Sequence, residues 1–208
     1  MEADDSEIVA RVLAGETSEY RYLVERHQRS VFRFAWNLIG DEHEAEDITQ
    51  EVFVAAFRRL ESYDGKLAAL QTWLLTITRN RCINYLKRRR PAVGDEAIRN
   101  RIESAGSYDC EREGVWRALT AALARLPLKQ KTAFVLAEIE QLSYAEIATI
   151  EQTTCGTVKS RVHRANAQGV DSSCREAALY RRMPSSASSA RRLAHVAVAR
   201  PRDQNSGR

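Results

Sequence analysis

The sequence predicts an all-α protein: two small helical domains joined by a flexible linker and followed by a disordered C-terminal tail. Three observations carry that expectation. Apolar residues recur at three- and four-residue spacing in segment after segment, the period of an amphipathic helix. Sustained apolar–polar alternation is missing, and the 9 glycines and 4 prolines in 208 residues are too few to punctuate a set of hairpins. The apolar period lapses over 92–112 and again beyond 168. The expected layout is a first domain over 5–91, a linker over 92–112, a second domain over 113–167 and a tail over 168–208. A chain of this length, 44% hydrophobic, can bury two modest helical cores.

Ile8, Val9, Val12 and Leu13 begin a short helix capped near Ser6 and closed by Gly15. The next helix, about Ser18 to Ile39, carries Tyr20, Leu23, Val24, Val31, Ala35 and Leu38 along one stripe. Gly40 stops it, and Asp41 is placed to cap a helix from about Glu42 to Leu60. There Ala45, Ile48, Val52, Ala56 and Leu60 form the core-facing side. Asp41, Glu42, Glu44, Glu46, Asp47 and Glu51 put six acids into eleven residues. Acids in a first turn suit the helix dipole, which accounts for Glu42 and Glu44. It does not account for Asp47, Gln50, Glu51 and Val54, which share one face well past the first turn. An acidic, amide-bearing face of this kind fits docking to a basic protein partner.

Leu70 to Arg90 reads as a basic helix. Trp73, Leu74, Ile77, Ile83, Leu86 and Asn84 or Tyr85 trace one or two buried strips. Arg79, Arg81, Lys87, Arg88, Arg89 and Arg90 set six cations in twelve residues, with Asn80 and Asn84 one turn apart among them. Cations on a helix bind phosphate whatever the base sequence. Asparagine pairs with an exposed base edge, and aromatics such as Tyr63 and Trp73 stack on an unpaired base.

In the second domain Trp116, Leu119, Leu123 and Leu126 make a helical stripe ended by Pro127, and a helix around Lys129 to Glu140 buries Ala133, Phe134, Leu136 and Ile139. Ser143 to Ala165 then has the layout of a helix-turn-helix. Ile147, Ala148 and Ile150 give the first helix its apolar side, and Thr153 or Thr154 can cap the second. In that second helix Cys155, Val158 and Val162 point inward, leaving Lys159, Ser160, Arg161, His163 and Arg164 outside. A buried aliphatic stripe backed by cations and a hydroxyl suits base edges and phosphates together. An amphipathic surface helix would show the same spacing; the second basic helix, in a separate segment, favours DNA.

These segments (EAEDITQEVFVAAFRRL, TWLLTITRNRCINYLKRRR and ARLPLKQKTAFVLAEIEQLSYAEIATIEQTTCGTVKSRVHRA) resemble regions 2 and 4 of bacterial RNA polymerase sigma factors of the sigma-70 family, most of all its extracytoplasmic-function (ECF) group. The resemblance implies a factor that binds core RNA polymerase and directs initiation at promoters with −10 and −35 elements. It places Asp47, Gln50 and Glu51 against the clamp helices of the polymerase's largest subunit. It places Asn80, Asn84, Lys87 and Arg88 where the family reads and opens the −10 element, and leaves Tyr63 and Trp73 as the candidate aromatics for opening it. Thr157, Lys159, Ser160, Arg161 and Arg164 fall on its −35 recognition helix. An anti-sigma partner is common in the family. Departures are equally specific: Leu70 and Gln71 stand where the family often has an aromatic before Thr-Trp. Gln152 replaces the usual turn glycine, and Glu151 occupies a commonly aliphatic position.

Other functions find little support. Cys82, Cys110, Cys155 and Cys174 are scattered without a CxxC pair, so no metal or other cofactor is expected. No phosphate loop, nucleophile elbow or HExxH occurs, which argues against an enzyme. A helix-turn-helix regulator with a sensor domain, or a helical adaptor, would leave the Leu70 to Arg90 helix unexplained. With no signal-like or membrane-spanning run, the chain is expected in the cytoplasm. The tail holds eight Arg, no Lys and three acids. That abrupt change fits a disordered appendage or a change of reading frame near codon 166.

Overall fold

The computed structural model describes residues 4–89 and 119–168. The predicted linker and tail, and Trp116, lie outside the described residues. Among the described residues every regular element is helical, and they form two helical domains.

α1 (Asp5–Leu13) buries Ile8, Val9 and Val12, but Leu13, one residue step of about 100° beyond Val12, turns off that stripe and is exposed. Asp4 rather than Ser6 takes the N-cap position, and the Ser6 hydroxyl donates to Asp4 Oδ2 at 2.7 Å. A short 3-10 turn, Thr17–Glu19, leads into α2 (Tyr20–Ile39), whose six predicted stripe residues are all buried. Gly40 ends α2 at φ 76°, a conformation costly for most other residues, and Asp41 accepts from the Glu44 amide at 3.2 Å to start α3 (Glu42–Arg58). Leu60–Ser62 forms a separate 3-10 turn, so α3 stops short of the predicted end. The Tyr20 hydroxyl donates to the Phe53 carbonyl at 2.9 Å, and its ring meets Phe57 edge-on with centroids 4.9 Å apart, fixing α2 on α3.

α4 (Leu70–Arg89) corrects the predicted strips. Leu74, Leu75, Thr78 and Cys82 are buried, whereas Trp73, Ile77, Ile83, Tyr85 and Leu86 are half-buried and Asn84 is exposed. Threonine misled the apolar count. The Thr78 hydroxyl donates to the Leu74 carbonyl at 2.8 Å, so the side chain satisfies its polar atom inside the helix and packs with its methyl.

In the second domain α5 (119–125) buries Leu119 and Leu123. α6 (Leu128–Phe134) follows Pro127 and widens into one π-helical turn, Val135–Ile139. Phe134, Val135 and Leu136 are all buried while Ile139 is only half-buried, a pattern the wider turn produces by shifting the register. α7 (Tyr144–Glu151) begins with a capping box in which Ser143 and Glu146 bond reciprocally. α8 (Cys155–Ala167) completes the helix-turn-helix.

The two domains pack on each other through residues far apart in sequence. Arg33 of α2 grips Glu140 with two bonds, Nε to Oε1 at 2.6 Å and Nη2 to Oε2 at 2.7 Å, and the Ser30 hydroxyl donates to Oε2 at 2.7 Å. The Glu140 side chain is 0% exposed. Lys131 of α6 donates to the Leu38 carbonyl at 3.1 Å, one of the last carbonyls of α2, which lack a helical partner. Burial pushes the Lys131 ammonium down to about 8. Alongside, the Thr72 hydroxyl of α4 donates to Glu146 of α7 at 3.4 Å.

Candidate nucleic-acid interface

α3 turns its apolar side to α2 and α4, which leaves Asp47 and Glu51 exposed and Gln50 and Val54 half-buried on the outer side. The two acids differ. Glu51 is ion-paired with Arg81 of α4, an exposed pair of little energetic weight that still ties this carboxylate to the basic helix.

The segment between α3 and α4 is held by its own aromatic. The Tyr63 hydroxyl donates to the Ala68 carbonyl at 3.2 Å, and the Tyr63 and Trp73 rings lie 5.3 Å apart, tilted by 48°. Partial burial pushes the Tyr63 phenol up, helped by nearby acids. Both residues are half-buried, so they support each other as well as facing outward. Leu67, at the tip of the same loop and 82% exposed, was not singled out in the sequence. Its only signal there is a leucine directly after the Asp64–Gly65–Lys66 turn.

Along α4, Asn80, Asn84, Lys87 and Arg88 are all exposed, at the i, i+4, i+7, i+8 spacing of one helical face. Asn80 Oδ1 accepts from Arg79 Nη1 at 3.3 Å. Core packing through Leu74, Thr78 and Cys82 on the other side is what turns the asparagines and cations outward.

In the helix-turn-helix, Thr154 caps α8 by accepting from the Thr157 amide at 3.2 Å, and the two threonine hydroxyls lie 3.0 Å apart. Val158, Val162 and Ala165 are buried, but Cys155, placed inward by the spacing, is exposed in the first turn. Lys159 and Arg164 are exposed, as is His163, while Thr157 and Ser160 are half-buried. Arg161 departs from expectation. It flanks the buried stripe, its side chain is only 18% exposed, and it is ion-paired with Glu151 of α7, whose side chain is 1% exposed. Burial pushes the Glu151 carboxyl up, and the hydrogen bond from Arg161 opposes that rise. Lys129 and Gln130 of α6 face Ser160 and Arg164 across an open cleft.

Gln152 takes the left-handed conformation, φ 52° and ψ 53°, at the turn where glycine is usual. A side chain there costs about 1 kcal/mol relative to glycine. Gln152→Gly is therefore expected to raise the stability of the second domain by about 0.5–1 kcal/mol, and Gln152→Val to lower it, as read by thermal unfolding.

No group of three metal-ligating side chains occurs among the described residues, and none of their helices is long and apolar enough to cross a membrane.

Known proteins share both halves of this arrangement. The Sigma-70 region 2 family model matches residues 23–91, and the Sigma-70, region 4 model matches residues 116–167. The chain is 32% identical to the RNA polymerase sigma-H factor of Pseudomonas aeruginosa, over 77% of this chain and 89% of that protein. It is 34% identical to the ECF RNA polymerase sigma-E factor of Escherichia coli K12, over 77% and 90%. With the ECF RNA polymerase sigma factor SigE of Mycolicibacterium smegmatis it shares 36% identity over 70% of this chain and 58% of that one. Among solved structures, the fold is similar to that of CnrH in complex with the cytosolic domain of CnrY (TM-score 0.60, 23% identity, 77% of this chain and 91% of that one). It is also similar to the sigma factor RpoE in complex with the anti-sigma factor NepR from Bartonella quintana (TM-score 0.57, 24% identity, 72% and 93%). The chain belongs to the sigma-70 family, in its extracytoplasmic-function group, the RNA polymerase factors that direct promoter-specific transcription initiation.

Proposed function

We propose that the three exposed faces divide the work of initiation. The acidic face of α3, with Asp47, Gln50 and Glu51, docks on the clamp helices of the polymerase's largest subunit. The Asn80–Asn84–Lys87–Arg88 face of α4, with Tyr63 and Trp73 beside it, reads and opens the −10 element. The outer face of α8, with Thr157, Lys159, Ser160 and Arg164, enters the major groove at −35. The observation that carries this reading is the pair of polar, cationic helix faces on two different domains, each turned outward by its own core. The chain acts without a catalytic site of its own, in the cytoplasm.

Two elements about 25 base pairs apart are separated by about 85 Å of duplex at 3.4 Å per step. α4 and α7 touch here through Thr72 and Glu146, so the packed domains must part before both elements are held at once. An anti-sigma factor would act on this chain by holding the domains together.

Reading and anchoring separate in a promoter-variant transcription assay with core polymerase. Asn80→Ala or Asn84→Ala is expected to relax preference at one −10 position, by about 1–3 kcal/mol for a good base contact. Lys87→Ala and Arg88→Ala are expected to weaken all promoters alike and to flatten the salt dependence. Identical specificity profiles for the two classes would contradict the assignment.

A further inference from the structure

Glu151 is an unusual residue to find under a recognition helix. Its side chain is 1% exposed at the end of α7, one residue before the left-handed turn, and one carboxylate oxygen is engaged by Arg161 of α8. The other oxygen, Oε1, is buried without a hydrogen-bond partner among the described residues. Arg79 of α4 and Lys129 add favourable charge around it, and Arg79 Nε is itself buried with no hydrogen-bond partner among the described residues. A carboxylate so placed holds its charge only beside a cation. Arg79 belongs to the first domain and leaves when the domains part. Arg161 and Glu151 sit within one helix-turn-helix, so their pair persists.

Geometry on α8 agrees. At about 100° per residue, Arg161 lies about 60° from the middle of the Val158–Val162–Ala165 stripe, whereas Ser160 lies nearly opposite that stripe. Arg161 thus starts on the inner flank, and its guanidinium turns toward α7.

We propose that Glu151 withholds Arg161 from DNA, making Arg161 a positioning residue that fixes α8 on α7 and leaving base reading to Lys159, Ser160, Thr157 and Arg164. This rests on α8 being the −35 reader. Magnitudes favour retention of the pair. Breaking a buried ion pair by removing one partner costs on the order of a hundredfold to several thousandfold in an equilibrium. A good bidentate base contact returns about five- to a hundred-and-fifty-fold. Arg161 gains less from a base than Glu151 loses. The same pair explains how an acid is tolerated at a position that is commonly aliphatic: its charge is cancelled within the motif.

The test uses full-length protein with core polymerase on a library of −35 variants, scored for preference profile and for the salt dependence of promoter binding. In Glu151→Leu the freed Arg161 is expected to reach phosphate, steepening the log–log salt slope by about 0.9, the value of one added phosphate contact. The double variant Glu151→Leu with Arg161→Leu replaces the pair by apolar side chains of similar reach, an exchange that buried ion pairs tolerate. It is expected to restore both the wild-type slope and the wild-type profile. Loss of preference at one −35 position in the double variant would show that Arg161 reads a base and would overturn the proposal. An unchanged slope in the folded Glu151→Leu variant would overturn it as well. Should that variant not fold, the double variant's profile still decides. A wild-type protein indifferent to −35 sequence would instead remove the reading of α8 on which the proposal stands.

Discussion

Asp47→Lys is expected to weaken binding to core RNA polymerase on the order of a thousandfold while leaving the helical fold intact. Asp47 is fully on the outer side of α3, clear of the Ala45–Ile48–Val52–Ala56 packing. Placing a cation against a basic partner costs several kcal/mol, and each 1.4 kcal/mol is tenfold. Glu51→Lys should also weaken docking, but it confounds two effects, because the new lysine would face Arg81, which Glu51 now binds. The informative comparison is therefore Asp47→Lys against Asp47→Asn, with circular dichroism as the fold control. Co-purification of Asp47→Lys with core polymerase at wild-type yield would exclude α3 as the docking face.

Arg33→Ala is expected to open the molecule. Among the described residues it leaves Glu140, 0% exposed, with only the Ser30 hydroxyl, and removing one partner of a buried pair costs about 3–5 kcal/mol. Glu140 sits between the domains and can regain water by letting them separate, so the penalty falls on the closed arrangement more than on either helical core. Small-angle scattering should report a larger radius of gyration, with helicity unchanged. If polymerase binds only the parted form, its apparent affinity should rise with the population of that form. Unchanged scattering by Arg33→Ala would show that the other interdomain contacts, Lys131–Leu38 and Thr72–Glu146 among them, hold the domains together without it.

Much of this arrangement was legible in the sequence, for reasons that are local. Gly40 and Asp41 announce a helix boundary through the backbone freedom of one and the side-chain acceptor of the other, and both act as read. The stripe from Tyr20 to Leu38 is buried at every predicted position, because the helical period alone fixes which residues share a face. Gln152 in the left-handed region follows likewise from its place in the turn. What escaped was non-local or chemically disguised. Arg33 and Glu140 are 107 residues apart, and no period links them. Thr72 and Thr78 count as polar in any pattern, yet both are buried, the Thr78 hydroxyl satisfied by the Leu74 carbonyl of its own helix and the Thr72 hydroxyl by Glu146 of the other domain. Arg161 looked outward among cations until a partner appeared on α7. The π turn after Phe134 has no signature in residue spacing, and it displaced Ile139 from the core stripe.

The chain is proposed to give core RNA polymerase its choice of promoters through faces on two domains. Transcription in vitro on a genomic fragment library, with core polymerase alone and with the chain added, tests it most directly. The expected result is a limited set of new start sites sharing two sequence elements, with Asn80→Ala altering preference in the element nearer the start and Lys159→Ala in the other. Start sites unchanged by addition of the chain, or new starts sharing only one element, would contradict it.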